Sequence, residues 1–250
     1  MTDSLLIPII MTIVGAATPI LLAALGELVV EKSGVLNLGV EGMMLIGAVT
    51  GFAVTATTGY APLGVVAAMI ASAASAGLFG FLTLTLTANQ VATGLALTIF
   101  GIGLSALAGE NYVGQTVDVF GSVFPASLAE HPVLRVIFGY SPLVYVSLLL
   151  VAAVSWFLRK SRAGLILRAV GESDLSAHSI GYPVIGVRYM AVLFGGAMAG
   201  IAGCFYSLVL TPMWAEQLTA GRGWIALALV VFAGWRPIRL LLGAYLFGAV

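Results

Sequence analysis

From Glu41 the chain runs to Glu110 without a single charged side chain. A stretch of that length has room for three membrane crossings, each needing about 20 mostly apolar residues. The same pattern continues outside it. Apolar stretches fall at about 5–25, 34–56, 62–86, 89–108, 141–158, 189–211 and 222–235, and an eighth starts near 238. Backbone polar groups within lipid must be satisfied internally, which permits only helices or closed barrels. The stretches are continuous rather than alternating, so helices are expected. Charged residues make up 8% of the 250, against roughly 25% in an ordinary soluble domain. The expected fold is all-α: a polytopic integral membrane protein of about eight membrane segments. The eighth stretch is still apolar at Val250, so the chain is expected to be truncated at its C-terminus.

Several function classes lose support at once. Ten acids balance ten bases, so no nucleic-acid partner is expected. Cys204 is the lone cysteine, which leaves no disulfide and no cysteine-ligated metal site. His131 and His178 have no acidic or histidine partners at ligand spacing, so no metal is expected. No cofactor is expected in this chain either. The first 25 residues carry Asp3 and no basic cluster, and read as a first membrane helix rather than a cleaved signal. The chain lacks an H-E-x-x-H, a paired aspartate and a nucleophile elbow. "GIGLSA" from Gly101 has no preceding strand to make it a nucleotide fingerprint. The expectation is a transport protein, not an enzyme.

Basic residues set the orientation. Arg159, Lys160, Arg162, Arg168 and Arg188 fall in the loop at about 159–188, which should therefore be cytoplasmic. The loop at about 109–140 carries Glu110, Asp118, Glu130 and only Arg135, as expected for the outer side. Counting spans places the N-terminus and 212–221 outside, with residues 26–33, Arg236 and Arg239 near the cytoplasm. Trp214 and Trp224 then read as interfacial anchors.

Polar residues inside apolar stretches are the candidate functional groups. In "GELVVEKSGVLNLGVEGMMLIGA", residues 26–48, Glu27, Glu31 and Lys32 are expected at a membrane boundary. Glu41 is expected inside the span, with Asn37 one turn earlier on the same face. A carboxyl there must be paired, hydrogen-bonded or protonated. It either caps a broken helix or belongs to a translocation path. "TANQVATG", residues 87–94, puts Asn89, Gln90 and Thr93 at the mouth of another span. Such amides either bond neighbouring backbone or meet a polar solute such as a nucleobase edge or sugar hydroxyl. Gly196 and Gly200, then Ala199 and Gly203, and separately Gly47 and Gly51, place small residues four apart. These suit packing within the chain or against a partner permease.

The 159–188 loop has internal punctuation. Leu165, Leu167 and Val170 make an amphipathic turn that Gly171 breaks. Ser173 caps a second short helix with Asp174 in its first turn, and Gly181 and Pro183 end it. This is either an ordinary positive-inside loop or a docking element for a cytoplasmic protein. With no G-x-x-x-x-G-K-[ST] loop in the chain, any ATPase must be a separate subunit.

The stretch "GLILRAVGESDLSAHSIGYPVIGVRYMAVLFGGAMAGIAG" resembles the coupling region of permease subunits from ABC importers of the branched-chain amino acid, ribose and nucleoside type. "GELVVEKSGVLNLGVEGMMLIGA" and "NQVATGLALTIFGIGLSALAG" are similar to the nucleoside or simple-sugar branch. The resemblance covers nearly the whole chain, in ordered blocks. It implies that residues 1–250 form a single permease domain in the bacterial plasma or inner membrane. It also implies cytoplasmic ABC ATPase subunits, a second permease copy or paralogue, an extracytoplasmic substrate-binding protein and membrane lipid as partners. Gly171, Glu172, Ala177 and Gly181 would lie in the ATPase-docking helix, although Asp174, Leu175 and Ser176 depart from the family's proline- and alanine-rich version. Family permeases are usually longer. An ion-coupled secondary transporter or channel, with Glu41 as its ion site, is the alternative; residues 42–108 and 189–211 contain no acid to support it.

Overall fold

The computed structural model describes residues 3–129, 131 and 133–249. Glu130 and Val250 lie outside the described residues. Six helices are long and apolar enough to cross a membrane. They are α1 (Asp3–Lys32), α2 (Val40–Thr58), α3 (Ala61–Gly80, continued by a π segment Phe81–Thr85) and α4 (Gln90–Gly109). After two single-turn helices, α5 (Ala126–Ala129) and α6 (Arg135–Phe138), come α7 (Pro142–Lys160) and the short pair α8 (Arg162–Glu172) and α9 (Asp174–Ser179). The sixth long helix is α10 (Val184–Phe205), which ends in a second π segment, Tyr206–Leu210. The chain then folds into α11 (Arg222–Phe232) and α12 (Pro237–Gly248).

α2 and α10 form the buried centre, with α3 packed on both, α4 on α2, and α1 on α10, α11 and α12. Small residues permit this closeness, because lipid supplies no hydrophobic drive between helices. A Cβ on Gly203 would overlap the Met44 carbonyl oxygen, and one on Gly47 would fall 2.6 Å from the Gly200 carbonyl. Gly196 meets Ala76 and the Ser72 carbonyl of α3. The small-residue motifs are thus spent on packing within the chain. Hydroxyls fasten the same contacts: Ser72 donates to the Met43 carbonyl at 2.6 Å and Ser207 to the Ala48 carbonyl at 2.9 Å.

Three sequence-based boundaries move. α1 continues to Lys32 instead of ending near 25, so Glu27 lies inside it and is fully buried. The protein, not water or headgroups, surrounds it. Residues 33–39 are non-helical and α2 begins at Val40, so Asn37 and Glu41 share no helix face. α11 and α12 have 11 and 12 residues, about 16 and 18 Å of helix, half a hydrocarbon core of about 30 Å. They form a hairpin broken at Gly234 and Trp235, both with positive φ, and Pro237 starts the return. The eight apolar segments are therefore six spans and two half-helices. Trp214 also departs from its expected role. It is 2% exposed, its ring lies where a Gly109 side chain would be, and it pairs with Val113 in an isolated bridge. It is a core residue, whereas Trp224 remains 40% exposed.

Candidate functional site: a polar junction within the bundle

Residues 33–39 thread between α1, α4 and the α8–α9 pair. Gly34 turns the chain at φ +82, where a side chain would be strained, and lies against Gly171. The Leu36 amide donates to Gln90 Oε1 at 2.8 Å. Asn37 Oδ1 accepts from the Gly39 amide at 3.0 Å, and its Nδ2 reaches Glu27 Oε1 at 3.4 Å and Met43 Sδ at 3.5 Å. Thr98 of α4 donates to the Leu38 carbonyl at 3.0 Å. Glu27 Oε2 has no hydrogen-bond partner among the described residues.

Glu41, 5% exposed, stands in the first turn of α2. Its Oε1 accepts from the Thr219 hydroxyl and from the Gly221 amide at 2.8 Å, and its Oε2 from the Gly223 amide at 2.6 Å. These donors are the N-terminus of α11, where unpaired N–H groups and the helix dipole favour an anion. Glu41 therefore caps a helix far away in sequence. Trp235, just past the other end of α11, donates to Glu31 and lies 5.8 Å below the Lys32 ammonium. The length of α11, on the order of 16 Å, separates that end from the Glu41 cap. The loop before the cap is tight: Gln217 and Ala220 have positive φ. Arg222 stacks over Tyr206, its carbon 5.0 Å from the ring centre.

The five expected path residues thus fall around one junction without forming a single cluster. Asn37 and Gln90 hold the 33–39 segment. Asn89 is exposed and caps α4 by accepting from the Ala92 amide at 3.0 Å. Half-buried Thr93 lines a groove of about 470 Å³ with Leu82, Leu97 and Phe100 between α3 and α4. Glu41 closes the far side on α11. Sequence reasoning missed Glu27, Thr219 and Arg222. A signal for the first existed, since Glu27 precedes Lys32 by more than one turn, leaving room for the helix to continue.

The α8–α9 pair is seated on this junction. A Cβ on Gly171 would overlap the Lys32 carbonyl oxygen. Arg188 ties three pieces together: Nε donates to the Ser33 carbonyl at 3.2 Å, and Nη2 pairs with Asp174 Oδ2 at 3.5 Å. Ser173 caps α9, accepting from the Ser176 amide at 3.3 Å, and Gly181 ends it at φ +87. Leu167 and Val170 face inward as expected, but Leu165 is 49% exposed. Ala177 is buried in a small cluster with Val170 and Val184. Outward stand Glu172, Leu175 (79% exposed) and Ile180 (69% exposed).

A family model described as branched-chain amino acid transport system / permease component matches residues 9–250. The putative glucose ABC transporter permease protein TsgC13 of Haloferax volcanii is 47% identical over 240 residues, covering 94% of this chain and 73% of that protein. The guanosine ABC transporter permease protein NupQ of Bacillus subtilis is 34% identical over 246 residues, covering 93% and 77%. The nucleoside ABC transporter permease protein NupC of Lactococcus lactis is 28% identical over 244 residues, again covering 93% and 77%. No solved structure matches.

Proposed function

The chain belongs to the family of branched-chain amino acid transport system permease components, and on that premise we propose how this permease subunit of an ABC transporter couples to its motor. It imports an uncharged, hydroxyl-rich solute, a simple sugar or a nucleoside, as the names of its relatives suggest. Separate ATPase subunits hydrolyse ATP on the cytoplasmic side, a second permease completes the path, and a binding protein delivers the solute from outside.

The α8–α9 segment is the docking element. The observation that carries this is its arrangement: two large apolar side chains, Leu175 and Ile180, project outward from a short helix whose inner side is bolted to the 33–39 junction. Ala177 acts in coupling by seating α9 on Val170 and Val184, Gly171 by letting α8 touch Lys32, and Gly181 by ending α9. Glu172, Leu175 and Ile180 meet the ATPase. A push on α9 travels through Arg188 and Gly171 into residues 33–39, and from there through Asn37 to Glu27 and through α2 to the Glu41 cap on α11. The solute path runs beside this junction, past Asn89, Gln90 and Thr93. ATP drives the cycle only insofar as the ATPase favours one arrangement of the junction over the other.

Replacing Leu175 and Ile180 with Asp tests the reading. The double variant should insert normally, fail to copurify with the ATPase subunits and lose ATP-dependent uptake. Uptake by the variant, or by the wild type without any ATPase, would overturn it. Ligand identification on the partner binding protein separates sugar from nucleoside.

A further inference from the structure

A cavity of about 340 Å³ opens between α1, α7 and α10 beneath α8, lined by Val29, Val154, Phe157, Leu167, Met190 and Phe194 among others. Its named lining is wholly apolar. A hydroxyl-rich solute or a peptide inside would leave its own polar groups unpaired, so the transported solute does not belong there. The place of the cavity along the helices is distinctive. Phe157 precedes Arg159 by two residues, Leu167 adjoins Arg168, Met190 follows Arg188 by two, and Val29 precedes Lys32 by three. The cavity therefore sits about one helical turn inside the membrane from a basic rim.

On one side the rim carries its own acids, since Glu31 and Glu172 line a pocket with Lys32 and Arg168, and Arg188 pairs with Asp174; Arg159, Lys160 and Arg162 are left as its uncompensated cations. Arg159, Lys160, Arg162 and Arg168 are exposed, and among the described residues the only salt bridge is Arg188 with Asp174. A second copy docked symmetrically on this face would bring the Arg159, Lys160 and Arg162 clusters of the two copies together. The occupant that satisfies both parts has an apolar chain and an anionic head.

We propose that this cavity is a binding site for an anionic phospholipid, with one acyl chain against Phe157, Leu167 and Phe194 and the phosphate among Arg159, Lys160 and Arg162. The site is independent of what the permease transports. It has a mechanical consequence, because Leu167 belongs to α8, the helix that carries the docking segment. The bound chain holds α8 down on the bundle, so the position of the coupling element depends on membrane composition.

The test uses the intact transporter, delipidated and offered phosphatidylglycerol or phosphatidylcholine, with retained lipid counted by native mass spectrometry. Phosphatidylglycerol should be retained about tenfold more strongly, since each basic side chain near the surface adds attraction for anionic lipid. The triple variant Arg159→Gln/Lys160→Gln/Arg162→Gln should lose that preference and keep the phosphatidylcholine level. Ala153→Trp, which fills the cavity, should lose both lipids. Glycerophosphoglycerol, the head without chains, should not compete. Hydrogen exchange on the unmodified transporter gives a readout that needs no variant: segments 150–157 and 164–168 should gain protection at lower phosphatidylglycerol than phosphatidylcholine concentration. Equal retention of the two lipids, competition by the free head group, an oligomer change in place of lipid loss in Ala153→Trp, or unchanged exchange would each overturn the site.

Discussion

Glu41→Gln is the sharpest probe of the junction, because it removes a charge and one acceptor while keeping size. The carboxylate serves three donors, two on Oε1 and one on Oε2. An amide has one acceptor oxygen. If that oxygen stays with Thr219 and Gly221, the amide N–H₂ confronts the Gly223 N–H, and a buried donor is orphaned. One lost charge-assisted bond and one orphaned donor together cost about 2–4 kcal/mol. Buried as this site is, little water is available to replace them. With about 2–4 °C per kcal/mol for a chain of this length, the melting midpoint should fall on the order of 4–16 °C. Glu41→Ala orphans all three donors and should cost about 3–6 kcal/mol, a large part of a typical stability of about 5–15 kcal/mol. Thr219→Val removes only the hydroxyl and should cost about 1 kcal/mol. Thermal unfolding in nanodiscs gives the ranking, and hydrogen exchange gives the location: amides 219–224 should exchange faster in Glu41→Gln while α3 and α7 stay unchanged. A midpoint within about 2 °C of the wild type, with 221–223 still protected, would refute the view that this carboxylate holds α11 in place.

Two further outcomes follow from close approach. Gly203→Ala should destabilise the bundle by about 1–3 kcal/mol, because its new methyl meets backbone of α2 at Met44 and Ala48 rather than a flexible side chain; Gly103→Ala, with nothing within 4 Å, should be neutral or stabilising by up to about 1 kcal/mol. Thermal unfolding of the pair reads the difference. Gly171→Val should lift α8 from Lys32 and Gly34; ATP hydrolysis by the assembled transporter should then proceed with uptake reduced at least severalfold, measured as solute moved per ATP consumed.

The class of fold was legible because lipid leaves few solutions, and a charge-free run from 42 to 109 selects among them without any tertiary information. The positions of Ser173, Gly181 and Pro183 were legible for a different reason: they are local backbone chemistry, and α9 begins and ends where they put it. The buried acids were not. Glu27 stands after Gly26, a pair that reads as a helix end, yet Gly26 is where α1 meets Met198 and Gly195 of α10. A glycine required by a neighbour and a glycine required by a turn look the same in one dimension. Glu41 was recognised as costly but its partners could not be, since Thr219, Gly221 and Gly223 lie about 180 residues away, the first two in a segment that read as an outer loop and the third in the next apolar stretch. α11 itself is only 11 residues long, and the positive φ values at Gly234 and Trp235 turn the chain back where the 222–235 stretch ends. Hydropathy therefore located every apolar segment, while the surroundings of each acid depended on where helices end and begin: α1 runs past Glu27 to Lys32, and α11 begins on Glu41. For α11 that start is held by one carboxylate capping it from across the bundle.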